Sequence, residues 1–128
     1  MERINEYFAH LMDAIRNCRW VINEDLTFRQ IDLKEGYING MLYIHGGYML
    51  HVAEYIEIEK GFPKRIKYRY QLQDNAERLV SRWDNAPHHA QIPTHPHHVH
   101  DDDGAVHSSR AMDIPSILSQ LDTVIQEK

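Results

Sequence analysis

Cys18 is the only cysteine in the 128 residues, so an internal disulfide is excluded and a reducing cytoplasm is the expected setting. No apolar run approaches the roughly 20 residues that cross a bilayer, and no N-terminal apolar run with a cleavage site is visible. A membrane partner is therefore not expected. Positive charge is also scarce, with 14 Lys plus Arg against 19 Asp plus Glu and a net charge of -5. That balance argues against a surface coated for nonspecific nucleic-acid binding, although it leaves room for a local basic patch. The 42% hydrophobic content suits one modest core in one domain, and no internal repeat is present.

Histidine is what the chain has in excess. Six of its ten histidines and three of its five prolines fall between Arg82 and His100. A packed core needs neither residue at such density, which makes this segment the first place to look for function.

Around it the pattern predicts an α+β domain spanning residues 1–128. Ile4, Tyr7, Phe8, Leu11 and Ile15 recur at helical spacing and predict an amphipathic helix ending near Asn17. A first strand is expected over Leu26 to Leu33. Tyr37 to Ile44 and Met49 to Glu59 then read as an antiparallel pair joined at the two-glycine junction His45-Gly46-Gly47-Tyr48. A fourth strand follows Lys60-Gly61-Phe62-Pro63, and a fifth runs from Arg78 to Trp83. Asp113 is a good N-cap for a final helix with Ile114, Ile117, Leu118, Leu121, Val124 and Ile125 on one stripe and Pro115 in its first turn. The expected architecture is an antiparallel meander of about five strands with an N-terminal and a C-terminal helix, and a His-rich loop at residues 84–112.

Charge matching predicts the register of the third and fourth strands. Glu59 opposite Arg65 sets Glu57 against Lys67 on one face and Ile58 against Ile66, Ile56 against Tyr68 and Val52 against Leu72 on the other. In that register Glu54 lies opposite Tyr70, either satisfied by the phenol or poised with a raised pKa for acid or base work. Facing Asp74 with Glu77 brings Tyr68 to Trp83 and Arg69 to Arg82, a small cationic site that wants an anion such as Asp84 or a ligand phosphate.

Three chemistries use the histidine segment. Imidazoles at His95, His97 and His100, with His98 and with Asp84 or Asp101, supply ligands for a divalent metal, although the spacing matches no zinc signature. Acid–base cleavage of RNA needs no cofactor: one side chain takes the 2′-hydroxyl proton, another protonates the departing 5′-oxygen, and a cation steadies the phosphate. His88, His89, His97 and His98, with Glu54, are the catalytic candidates. Arg69, Arg82, Tyr68, Tyr70, Asp84 and Asn85 are the substrate-binding ones, with Trp83 a further stacking surface. The plainest alternative is an Asx-type turn at Asp84-Asn85-Ala86-Pro87 followed by a solvated loop, or a module that only binds a partner.

The string Arg82-Trp83-Asp84-Asn85-Ala86-Pro87-His88-His89, followed by Pro96-His97-His98-Val99-His100, resembles the TumE family of toxins from toxin–antitoxin systems. The resemblance spans about Ile38 to His100 and includes the glycine hairpin, Glu54-Tyr55, Tyr68-Arg69-Tyr70 and Asp74. It implies a small α+β toxin silenced by a helix-turn-helix antitoxin, with an RNase-like attack on translation and RNA as substrate. A homo-oligomer is left open.

Overall fold

A computed structural model describes residues 1–87, 89 and 91–126. His88, first among the catalytic candidates, lies outside the described residues. The order of elements is α1 (Ile4–Arg16), β1 (Val21–Asp32), β2 (Glu35–Ile44), β3 (Tyr48–Glu59), β4 (Phe62–Gln73), β5 (Leu79–Asp84), β6 (His98–His100), β7 (Val106–Ser108) and α2 (Ile114–Gln126). All seven strands pair antiparallel with their sequence neighbours in one sheet of order β1 to β7. The two strands beyond the expected five come from the histidine loop, where three-residue runs are too short to show an alternating pattern.

Both helices cover one face of this sheet. Ile4, Tyr7, Leu11 and Ile15 of α1 and Ile114, Ile117, Leu118 and Leu121 of α2 are buried against Ile38, Leu42, Leu50, Val52, Ile56, Tyr70 and Leu72. Gly36 lets α1 approach, because a Cβ there would stand 2.7 Å from Phe8 Cζ and 2.8 Å from Ile4 Cγ1. Asp113 caps α2 by accepting the Ser116 N–H at 2.8 Å, as its position in the sequence predicts.

The register of β3 against β4 departs from charge matching. Lys60 and Gly61 both take positive φ, 52° and 80°, and close a two-residue turn that sets Glu59 opposite Phe62 and Glu57 opposite Lys64. Beyond a bulge the pairing runs Tyr55 to Lys67, Glu54 to Tyr68, Val52 to Tyr70 and Leu50 to Leu72, so Ile66 is the extra residue on β4. Apolar alternation survives, since the displacement beyond the bulge is an even number of residues, but the predicted charge pairs do not. The β4–β5 register also moves: Arg69 faces Asp84 and Arg82 faces Gln71, so the expected Arg69–Arg82 pair does not form.

Alternation then assigns the opposite face. Residues directly paired across a sheet share a face, so Asn39, Ala53, Arg69, Asp84 and His98 form one transverse row on the side away from the helices. Gln71, Arg82 and His100 belong to the neighbouring row.

Candidate functional site

Asp84, at the end of β5, is the centre of the outer-face site. It is 6% exposed and His98, paired with it from β6, is 2% exposed. His98 Nε2 donates to Asp84 Oδ1 at 2.8 Å and its Nδ1 donates to the Pro96 carbonyl at 2.9 Å. Both ring nitrogens thus face acceptors, and both are engaged. Arg82 Nη2 donates to His100 Nε2 at 3.0 Å, while Arg82 Nε lies 3.4 Å from Asp84 Oδ2. That Nε is buried and makes no hydrogen bond, so the Asp84 carboxylate holds it as an ion pair only.

His89 completes the wall from the β5–β6 loop. Its ring centroid lies 4.9 Å from that of His98 and 5.6 Å from that of His100, both edge-on. The His98 and His100 rings are 4.9 Å apart. Burial, then the Arg82 charge, lowers the His100 pKa, opposed by Asp84, which disfavours the charged form of the ring that accepts from Arg82. Among the described residues, one ligand atom each from His89, His98 and His100 lies within 4.8 Å of the others, a group able to hold a metal ion.

The loop that carries His89 is tied down by groups that composition does not single out. Asn85 accepts the Tyr68 N–H at 2.9 Å and donates to the Ile66 carbonyl at 3.1 Å, so its side chain continues the β4–β5 ladder past its last pair, Arg69 and Asp84. Thr94 Oγ1 donates to the His97 carbonyl at 2.7 Å and accepts from Ser109 N–H at 2.9 Å. Asn85→Ala removes both ladder bonds at once and is expected to cost about 1–3 kcal/mol, read as a lower urea midpoint at unchanged m-value.

A cavity of about 590 Å³ opens on this wall. Tyr37, Asn39, Ala53 and Tyr55 line one end, Lys67 and Arg69 the middle, and Arg82, Asp84, His89, His98 and His100 the other. Of the residues singled out from the sequence, the structure gathers Arg69, Arg82, Asp84, Asn85, His89, His98 and His100 around this cavity, and Glu54 and Tyr68 also border it although both are buried.

The others are placed differently. Tyr68, Tyr70 and Trp83 are 4%, 0% and 8% exposed on the helix-covered side and offer no ring face to a base. Glu54 is 3% exposed there. The Tyr7 hydroxyl donates to its Oε1 at 2.6 Å and the Tyr70 hydroxyl donates to its Oε2. Burial raises its pKa, opposed by those two hydrogen bonds and by Arg65. His97 stays apart from the cluster, with Nδ1 2.8 Å from the Tyr68 hydroxyl and its ring stacked on that phenol at 5.8 Å. His95 is exposed, so His95 and His97 do not join His100 in one ligand set. Asp101 serves the β6–β7 turn, accepting from Ala105 N–H and from His107.

The family model for the toxin TumE matches residues 11–127, which takes in the whole cavity, its histidine wall and both sheet edges. The chain belongs to the TumE toxin family. Membership makes it the toxin component of a toxin–antitoxin system and implies an antitoxin as its partner. The chain matches no curated protein and no solved structure. No helix of this TumE-family chain is long and apolar enough among its described residues to cross a membrane. The cavity residues Tyr37, Asn39, Ala53, Tyr55 and Lys67 escaped sequence reasoning, although the alternation that buries Ile38 and Glu54 already assigns Tyr37, Asn39, Ala53 and Tyr55 to the outer face.

Proposed function

We propose that this TumE-family toxin acts in the cytoplasm as a ribonuclease that blocks translation, cleaving RNA where His89, His98 and His100 meet Asp84 and Arg82. The observation that supports this best is the convergence of three imidazoles and an arginine on one wall of a cavity that also holds Lys67 and Arg69. Acid–base work needs a proton acceptor, a proton donor and a cation for the phosphate. His100 is the acceptor: when a phosphate draws Arg82 away, its Nε2 lone pair is released toward the ribose 2′-hydroxyl.

The 2′-oxygen then bonds to phosphorus, the bond from phosphorus to the 5′-oxygen breaks, and His89 protonates the leaving oxygen. Arg82, with Lys67 and Arg69, steadies the charged phosphate. His98, fixed between Asp84 and Pro96, is a positioning residue that keeps Asp84 and the neighbouring rings in place. No cofactor is required.

Induction of the toxin in cells lacking the antitoxin tests the reading directly. Growth arrest with loss of intact bulk RNA is expected, with relief on co-expression of a helix-turn-helix antitoxin. Normal growth and intact RNA at full toxin expression would sink it.

One observation favours a second reading. The His98 Nδ1 bond to a backbone carbonyl is the arrangement that orients a metal-ligating imidazole, and His89, His98 and His100 with Asp84 would then hold a divalent ion such as zinc in a site that is a metal-binding module. Metal analysis of untagged protein separates the two: a stoichiometric ion, lost in His98→Asn, with cleavage abolished by a chelator, replaces the metal-free reading.

A further inference from the structure

We propose that the outer face also carries a subsite for one unpaired nucleobase, stacked on Tyr37. The proposal deepens the ribonuclease reading and rests on it for the nature of the ligand. Tyr37 projects from β2 into the cavity with 42% of its surface exposed. Single exposed aromatics are ordinary on protein surfaces, but this one is built upon. Its ring lies on that of Tyr55, its cross-strand partner on β3, with centroids 4.8 Å apart and planes at 25°. The Tyr55 hydroxyl lies 2.6 Å from a Glu35 carboxylate oxygen on β2 and 2.5 Å from one of Glu57 on its own strand, and its one proton, shared between them, fixes the underlying ring. Such an anchored pair loses little further freedom when a base is laid on its open face.

Charge orients the occupant. Glu35 and Glu57 make the tyrosine end of the cavity hostile to a phosphate, whereas Lys67, paired with Tyr55, and Arg69 lead from the platform to the histidine wall. A nucleotide fits with its base over Tyr37 and its backbone toward Arg69. Tyr37 and Asp84 are three strands and one row apart, about 16 Å on ordinary sheet spacing, so the stacked base belongs to a nucleotide a few positions from the scissile phosphate. Asn39, the next outward residue on β2, offers an amide to the base edge. A base locked in a duplex cannot reach the platform, so the substrate is single-stranded.

Binding measured without turnover tests this. The probe is a fluorescent single-stranded oligoribonucleotide bearing 2′-O-methyl groups, which cannot be cleaved through the 2′-oxygen, added to the full chain. Tyr37→Ala should weaken binding roughly 5- to 150-fold, the loss of one stacked base, while Tyr37→Trp restores it and a fully paired probe binds poorly to both. An abasic position walked along the probe should reproduce the loss at one or two adjacent sites and add nothing in Tyr37→Ala. Tight binding that is indifferent to Tyr37→Ala and to every abasic position overturns the subsite and leaves the ribonuclease reading standing. No binding of any probe overturns both, and Tyr37-dependent binding with no cleavage of the unmodified strand upholds the subsite while removing the nuclease.

Discussion

Cleavage of RNA by His100→Ala is expected to fall at least about 100-fold, the least that a positioned general base contributes. The argument for His100 over its neighbours is geometric. His98 has both nitrogens engaged, by Asp84 and by the Pro96 carbonyl, and so has no free lone pair to offer. His100 accepts at Nε2 from Arg82, a donor that a phosphate would recruit, and its partial burial beside Arg82 disfavours the charged ring. His100→Asn keeps an acceptor for Arg82 but cannot take a proton at neutral pH. It should therefore unfold at the wild-type midpoint while cleaving as slowly as the alanine variant in single-turnover assays. His98→Asn is expected to lose stability as well as rate, because it withdraws a donor from a buried carboxylate, a change worth about 1–3 kcal/mol. If both His100 variants cleave at the wild-type rate, the proton acceptor lies elsewhere. A rate loss that tracks a lowered unfolding midpoint would make the residue structural.

Glu54→Gln should raise stability at pH 8 and leave it little changed near pH 4. Glu54 is buried between Tyr7 and Tyr70 on the helix-covered face, with Arg65 and Asp113 the nearest charges. Burial lifts its folded-state pKa above the ordinary 4.5, Asp113 adds to that rise, and the two phenols and Arg65 oppose it. For a group whose folded pKa exceeds its unfolded one, the stabilising contribution is complete below the unfolded value and is lost as pH rises through the folded value. The wild type should therefore lose stability upward from about pH 4.5 relative to the glutamine variant, which has no proton to release but still accepts one phenol and donates to the other. Urea midpoints at matched m-values across pH 4 to 8 give the comparison. Parallel curves would mean that Glu54 carries no pH-dependent share of stability. Tyr70→Phe, which withdraws one donor, should cost about 1–3 kcal/mol wherever Glu54 is charged.

The same carboxylate illustrates how far sequence reasoning reaches. Glu54 stands out because it interrupts an apolar face, and a tyrosine was the natural partner. The register predicted for it was displaced by two residues, yet Tyr70 still reaches it, since diagonal neighbours on one face lie within reach of long side chains. Tyr7 could not be paired with it from the sequence, as the docking of α1 on the sheet is a non-local event. Arg69 and Arg82 show the opposite outcome. The sequence pairing predicts that they face each other, but in the structure Arg69 faces Asp84 and Arg82 faces Gln71, and Asp84, the anion expected between them, is the centre of the site.

What the sequence determines by itself about this TumE-family chain is periodic and local. Helix stripes at 3.6 residues, strand alternation at two, the two-glycine turn and the Asp113 cap follow from side-chain geometry within a few residues of each position. Tertiary structure alone decided the register, through the positive-φ pair Lys60-Gly61 and the bulge at Ile66. It also decided which histidines meet. His98 to His100 pair with β5 because Asn85 and Thr94 fold the intervening loop back, and this selects His89, His98 and His100 from a segment in which composition alone ranks every histidine alike. Pairing of short strands across a 13-residue connection depends on contacts that exist only once the loop has closed, and no local pattern encodes them.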